Sequence, residues 1–303
     1  MYDKYSLSPY PIYSALFGLS TSKWGDILEL SRCDLYPDYS RDERLKAEEE
    51  SRKAAGMTTY ADDWKEARRN LQILKIQGTR VVKANSTLKP LWNAGRRAIT
   101  VKIGQLTNDE PTINRVSSQL IEILLPPLAP IPLPVYIALL SSLAKAFVLQ
   151  AETEISAAKR SAIPLAQVTF NCLERLEGFS EVLYAKMTQR IGPWLVPCPI
   201  PEKDFDDRAW KDVAEMRLML GLRTGEDGAM ETQSQYMDRV KGVARLYFEV
   251  LKIVPRQGPM KRMFQLPRYW SWMARMLGRG RCWRRRWGQR CFSLARFFRV
   301  SCA

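Results

Sequence analysis

The chain has no histidine anywhere in its 303 residues. That absence removes Ser-His-Asp and Cys-His nucleophilic arrangements, and every zinc site that needs an imidazole. None of the six cysteines (Cys33, Cys172, Cys198, Cys282, Cys291 and Cys302) lies in a CxxC pair, which argues against a structural zinc site. There is no GxxxxGK followed by Ser or Thr, and no GxGxxG opening a helix, so no nucleotide motif points to an enzyme. Strand-like alternation is scarce. The most apolar region is interrupted by five prolines, Glu122 and Lys145 and does not supply the roughly 20 apolar residues a membrane span needs. No transmembrane segment is expected. Nothing reads as a secretory signal, and Asp3, Asp26 and Glu29 argue against a transit peptide. A reducing compartment with free thiols is the expectation, with Cys172 a small core residue on an apolar helical face.

What is present is a globular composition, 46% apolar, with a formal charge of +15. A chain of this length holds one large or two small domains and can bury a real core. The charge is unevenly spread. Residues 279–303 hold eight Arg and no acid, which leaves 39 − 32 = +7 for residues 1–278. A mildly basic body favours an anionic partner without naming it. Its most basic stretch runs from Leu88 to Asp109, with Lys89, Arg96, Arg97 and Lys102 and no carboxylate before Asp109. Two readings stay open there: a solvated helix face, or one wall of a polyanion site.

Residues 1–39 carry aromatics and prolines without a clear period. Residues 40–55 read as the end of a charged helix, stopped by Gly56. A long helix is predicted over 59–82, capped by Thr59 and Asp62, with Trp64, Ala67, Leu71, Leu74 and Val81 as its buried stripe. The basic stretch breaks at Gly104 and restarts at Thr107-Asn108-Asp109. Helices follow over 111–125, 135–155, 161–176 (capped by Ser161), 178–190 and 206–220, with a proline-rich connector at 126–134. In 178–190, Leu183 and Met187 face the core while Lys186 and Arg190 share the other face. Thr232 and Gln235 form a capping box for a helix over 233–254, with Tyr236, Val240, Val243, Tyr247, Val250 and Leu251 inward. Residues 267–277 read as a short aromatic helix. Helices joined by short loops and proline breaks make an all-α antiparallel stack, more a binding module than an enzyme.

KIGQLTND, the segment Gln150 to Val168 (QAETEISAAKRSAIPLAQV), the segment Gln235 to Ile253 and LPRYWSWMARML together resemble the C-terminal domain of the Gle-one nucleoporin family of mRNA-export factors. The resemblance covers residues 58–277, between a divergent segment 1–57 and a tail 278–303. It implies an all-α stack of HEAT-like helices, similar to the middle domain of translation-initiation scaffolds. It implies a non-enzymatic partner that binds inositol hexakisphosphate, bridges to a DEAD-box RNA helicase and stimulates its ATPase. It implies a place at the cytoplasmic face of the nuclear pore complex, between nucleus and cytoplasm, among other nucleoporins. Translation initiation and termination factors are further partners in that reading. The family's ligand-binding positions fall at Arg96, with Arg97 and Lys102 beside it, at Lys145, at Lys186, Gln189 and Arg190, and more loosely at Lys75. Such a ligand needs cations converging from several elements, with Arg bidentate and Lys a point charge. Gln189 stands where the fungal pattern has a cation, and Gly192-Pro193 where it has a Cys-Pro turn, which implies a weaker anion site.

The tail departs from the family. Residues 278–303 combine Arg and Trp clusters with three of the six cysteines. It reads either as a surface for RNA or phospholipid, or as an out-of-frame or mis-spliced gene end. The abrupt change of composition favours the second, in which the helical domain is incomplete. The RNA reading is the alternative function, working through the basic tail.

Overall fold

Apolar residues at helical spacing start the first helix, α1, Tyr60–Ile73, which buries Trp64 and Ala67. In this computed structural model the described residues are 43, 47, 50, 51, 60–155, 158–192, 203–225, 228–256, 258, 260–266 and 269. The expected caps at Thr59, most of the charged segment 40–55, most of the aromatic helix 267–277 and the tail 278–303 lie outside them. Everything below concerns the unit Thr59–Leu277.

Beyond Ile73 the chain stays helical but widens into a π-turn, Leu74–Arg80, before a last α-turn, α2, Val81–Ala84. The π-turn takes up one extra residue. The buried stripe therefore passes from Leu74 to Val82, and Val81, expected inside, is 40% exposed. Asn85 then starts α3, Leu88–Gly104: its side-chain oxygen accepts from the N–H groups of Thr87 and Leu88. The GQLTND break is a capping device. Asp109 accepts from the Thr107 hydroxyl and, at 2.9 Å, from the Thr112 N–H that opens α4, Glu110–Leu124. Those bonds hold the Asp109 carboxyl at about 2, with the Thr107 hydroxyl the largest cause. A depressed carboxyl stabilises above its unfolded value, and this cap is lost only as pH falls toward 2.

The centre is α5, Leu133–Gln150, extended by a second π-turn, Ala151–Ile155. The first π-turn, α3 and α7 (Phe179–Ile191) all pack on it. Leu143, Ala144, Phe147 and Val148 are fully buried there. By length and composition this 23-residue helix would suit a bilayer. Packing by three neighbours accounts for its apolar character instead, and Lys145 stands exposed on it.

Two contacts set the register of α3 on α5. Trp92 Nε1 donates to Ser142 Oγ at 3.1 Å, and the missing side chain of Gly95 lets Leu139 close in to 2.7 Å of where a Cβ would sit. The two helices are antiparallel, so each step forward along α3 is a step back along α5.

Helix α6, Ala162–Arg175, is buried on most sides, Cys172 included, and burial pushes that thiol up to about 12. Ser161 does not cap it through its side chain; its N–H closes the 3₁₀ turn Lys159–Ser161 on Ala158 instead. The helix expected over 206–220 is shorter, α8, Val213–Met219. Asp204 and Arg208 pair their backbones in a tight turn, and Asp212 caps α8 by accepting from Glu215 N–H. The capping box Thr232–Gln235 forms as expected and starts α9, Gln233–Lys252, with the six predicted inward residues buried. Among the described residues there is no strand, only the isolated bridges Lys203 to Ala209 and Thr224 to Met230.

Candidate anion-binding site

Two of the sequence-derived cations meet. Lys145, exposed near the end of α5, and Lys186, half-buried on α7, lie close enough for their charges to interact. Burial first, and Lys145 second, hold the Lys186 ammonium below the ordinary lysine range. Lys186 donates to Gln189 Oε1 at 3.2 Å, so Gln189 orients the lysine and adds no charge of its own. Among the described residues neither lysine has a carboxylate partner. Two ammonium groups near enough to interact, with no carboxylate ion pair to either among the described residues, leave a local excess of positive charge that a polyanion would relieve.

A lysine depressed in the folded state makes stability rise with pH, from its lowered value up to its unfolded one, because the unfolded chain binds the extra proton in that window. The first prediction follows from the cause. Lys145→Ala raises the Lys186 titration toward the ordinary range, read by the side-chain ¹³Cε shift against pH. An unmoved titration would mean that the two charges do not interact.

The other candidates are spread along α3 and beyond. Lys75 is exposed in the first π-turn, which packs on α5. Arg96 is exposed, its guanidinium carbon 5.1 Å from the Trp92 ring centre, a cation–π contact. Arg97 is exposed and Lys102 half-buried. The antiparallel register puts Arg96 level with residue 138 and Lys102 level with residue 132 of the α5 segment. At about 1.5 Å per residue, Arg96 lies roughly 10 Å and Lys102 roughly 20 Å along the axis from the level of Lys145. The structure thus joins Lys145 to Lys186 and does not bring Lys102 to them. Lys89, not among the carried-over positions, is the α3 cation level with Lys145. Only the helix register reveals that.

Arg190 is engaged elsewhere. Its guanidinium grips Glu152 with two bonds, 2.7 and 3.1 Å. Glu152 lies in the second π-turn and its side chain is 3% exposed. It also accepts from Arg223 and, at 3.3 Å, from Arg239. Arg239 in turn donates to Glu231 and to the carbonyls of Arg190 and Gly221, each of those two at 2.8 Å. Three guanidiniums against two carboxylates tie the end of α5, the end of α7, the segment before α9 and α9 itself. The sign of this cluster in the sequence is an acidic residue, Glu152, directly after a core helix.

Beside the cluster, two chain segments touch backbone to backbone. Gly192 has φ +61°, and a Cβ there would lie 2.2 Å from the Leu220 carbonyl oxygen. Gly221, at φ +88°, would meet the Arg190 oxygen at 2.7 Å. The Tyr236 hydroxyl lies 2.8 Å from the carbonyls of both Ile191 and Leu220 and shares its single proton between them. The close approach of the Leu220 backbone therefore requires a glycine at 192. No group of three or more Cys, Asp or Glu is placed to hold a metal among the described residues.

Antiparallel helices packed around one apolar axis make this an all-α helical-repeat protein. The chain belongs to the GLE1-like protein family, whose model matches residues 71–280. It is 31% identical over 137 residues to mRNA export factor Gle1 of Drosophila melanogaster, covering 45% of this chain and 19% of that protein. It is 25% identical over 179 residues to mRNA export factor GLE1 of Saccharomyces cerevisiae, covering 57% and 30%. With gle1 of Schizosaccharomyces pombe the identity is 27% over 199 residues, covering 62% and 39%. The chain thus spans between about a fifth and two fifths of these relatives. A solved structure of a variant S. cerevisiae Dbp5 C-terminal domain bound to Gle1 and IP6 shares the fold at a TM-score of 0.60 and 23% identity, over 71% of this chain and 70% of that one.

Proposed function

We propose that this domain serves mRNA export as a non-enzymatic partner of a DEAD-box helicase of the Dbp5 kind, with inositol hexakisphosphate (IP6) as the tether between them. The observation that carries this is the Lys145–Lys186 pair, two ammonium groups on neighbouring helices with no carboxylate ion pair to either among the described residues. Support comes from the family membership and from a fold neighbour whose Gle1 is bound to Dbp5 and IP6. In this reading Lys145 and Lys186 hold phosphates, and Lys75 and Lys89 reach the same ligand from the flanking elements. Arg96 extends the site along α3. Arg190 positions the end of α7 through Glu152. The helicase hydrolyses ATP, and this domain raises the rate. The cytoplasmic face of the nuclear pore is where such a reaction belongs.

The second prediction tests the site. Lys145→Ala with Lys186→Ala weakens IP6 binding about 100- to 10,000-fold by calorimetry, since each charged hydrogen bond contributes roughly 1.5–3 kcal/mol and two are lost. Circular dichroism should be unchanged, because neither lysine belongs to the apolar core. Helicase ATPase should rise only with both this chain and IP6 present. Unchanged affinity in the double variant removes the site, and stimulation without IP6 removes the tether.

A further inference from the structure

From Ala67 to Asn108 the chain carries nine Lys and Arg and not one Asp or Glu. Helix α3 lies in this run. Its inner face, with Trp92, Ile99 and Ile103, is buried against the core. Its outer face is not polar throughout. Leu91, Ala94, Ala98 and Val101 follow a 3-4-3 spacing and form one stripe on the side away from Trp92. Leu91 is 53% and Val101 56% exposed, and Ala94 is exposed as well. The spacing is that of the a and d positions of a helix–helix seam. Lys102 then stands at an e position and Arg97 at a g position, one cation on each side of the stripe.

We propose that this outer face of α3 seats an amphipathic helix of a partner protein, aliphatic along one stripe and acidic along both flanks. Two alanines in the middle of the seam allow close approach, and Leu91 and Val101 anchor its ends. The seam is about 15 Å long, three helical turns. Charge selects the partner's sign. With no carboxylate within the run, a basic or neutral helix finds no complement there, whereas Glu or Asp beside the seam pairs with Arg97 and Lys102. A nucleic acid fits the same charge but not the same surface. The one aromatic on α3 is Trp92, which faces the core, so the outer face offers bases nothing to stack on. This surface is separate from the Lys145–Lys186 pair and does not depend on the function proposed for that pair.

The test uses the full chain and a synthetic 21-residue helix with Leu at a and d and Glu at e and g, labelled for fluorescence anisotropy. Binding is expected, and it should weaken as salt rises. Leu91→Ser with Val101→Ser should weaken it about tenfold or more, as truncation of seam anchors does. Arg97→Glu with Lys102→Glu should abolish it and restore binding to a second peptide with Lys in place of Glu. Lys145→Ala with Lys186→Ala should leave it unchanged, which separates this surface from the phosphate site. No binding, or binding that ignores the Leu91 and Val101 changes, overturns the proposal. It is also overturned if a poly-uridine oligonucleotide binds more tightly than the peptide and loses that binding with Arg97→Glu and Lys102→Glu alone.

Discussion

Replacing Glu152 with alanine is expected to destabilise the fold by about 3–5 kcal/mol, the cost of removing one partner from a buried ion cluster. Glu152 is the carboxylate on which Arg190, Arg223 and Arg239 converge. Without it, the Arg190 and Arg223 guanidiniums lose their carboxylate partner and only Arg239, 11% exposed along its side chain, keeps one in Glu231. Typical domains hold about 5–15 kcal/mol in total, so the loss is a large share of the whole. Glu152→Gln keeps acceptor and shape but not the charge, and should fall between alanine and the parent. Urea unfolding followed by circular dichroism reads both. A Glu152→Ala midpoint equal to the parent's would show that the cluster does not stabilise the fold.

Gly192→Ala is the second large effect, about 3 kcal/mol or more. A side chain at φ +61° carries conformational strain of roughly 1–3 kcal/mol, and forcing atoms into a packed contact adds about 1–3 more. The obstacle is the Leu220 backbone, which cannot rotate aside as a flexible side chain would. Gly178 supplies the control. It has φ +73° but open space around it, so Gly178→Ala should cost only about 1–2 kcal/mol. Thermal melts of the two variants should therefore separate clearly. Equal melts would show that the close approach of Gly192 to Leu220 does not matter.

What could be read from the chain was local. The Thr232–Gln235 box spans four residues, and both halves of it are visible in one turn of sequence. The helical class and the buried stripe of α9 follow from period alone. The π-turn at Leu74–Arg80 is not legible from period, because Gly78 in LKIQGTR is equally compatible with an ordinary helix, and an unbroken period puts Val81 rather than Val82 inside. Ser161 looked like a cap because the residue type fits; the backbone before it had already turned into 3₁₀ geometry. The cation set split for a different reason. Lys145 and Lys186 are 41 residues apart and meet only because α5 packs on α7. Arg96 and Lys102 are close in sequence to the GQLTND break, yet the antiparallel register carries them away from Lys145. Arg190 shares a helix face with Lys186, but the deciding partner, Glu152, comes from another element.

The wide turn in the first helix also bears on chain length. Leu74–Arg80 holds one residue more than an α-ladder would over the same rise, and Gly78 keeps that bulge pressed against Ile137 of α5. Shortening the chain by one residue there would turn the bulge into regular helix and leave α2, Asn85 and α3 where they are. In a family member built that way, the difference would show as a single-residue gap confined to this turn, with every later helix in step.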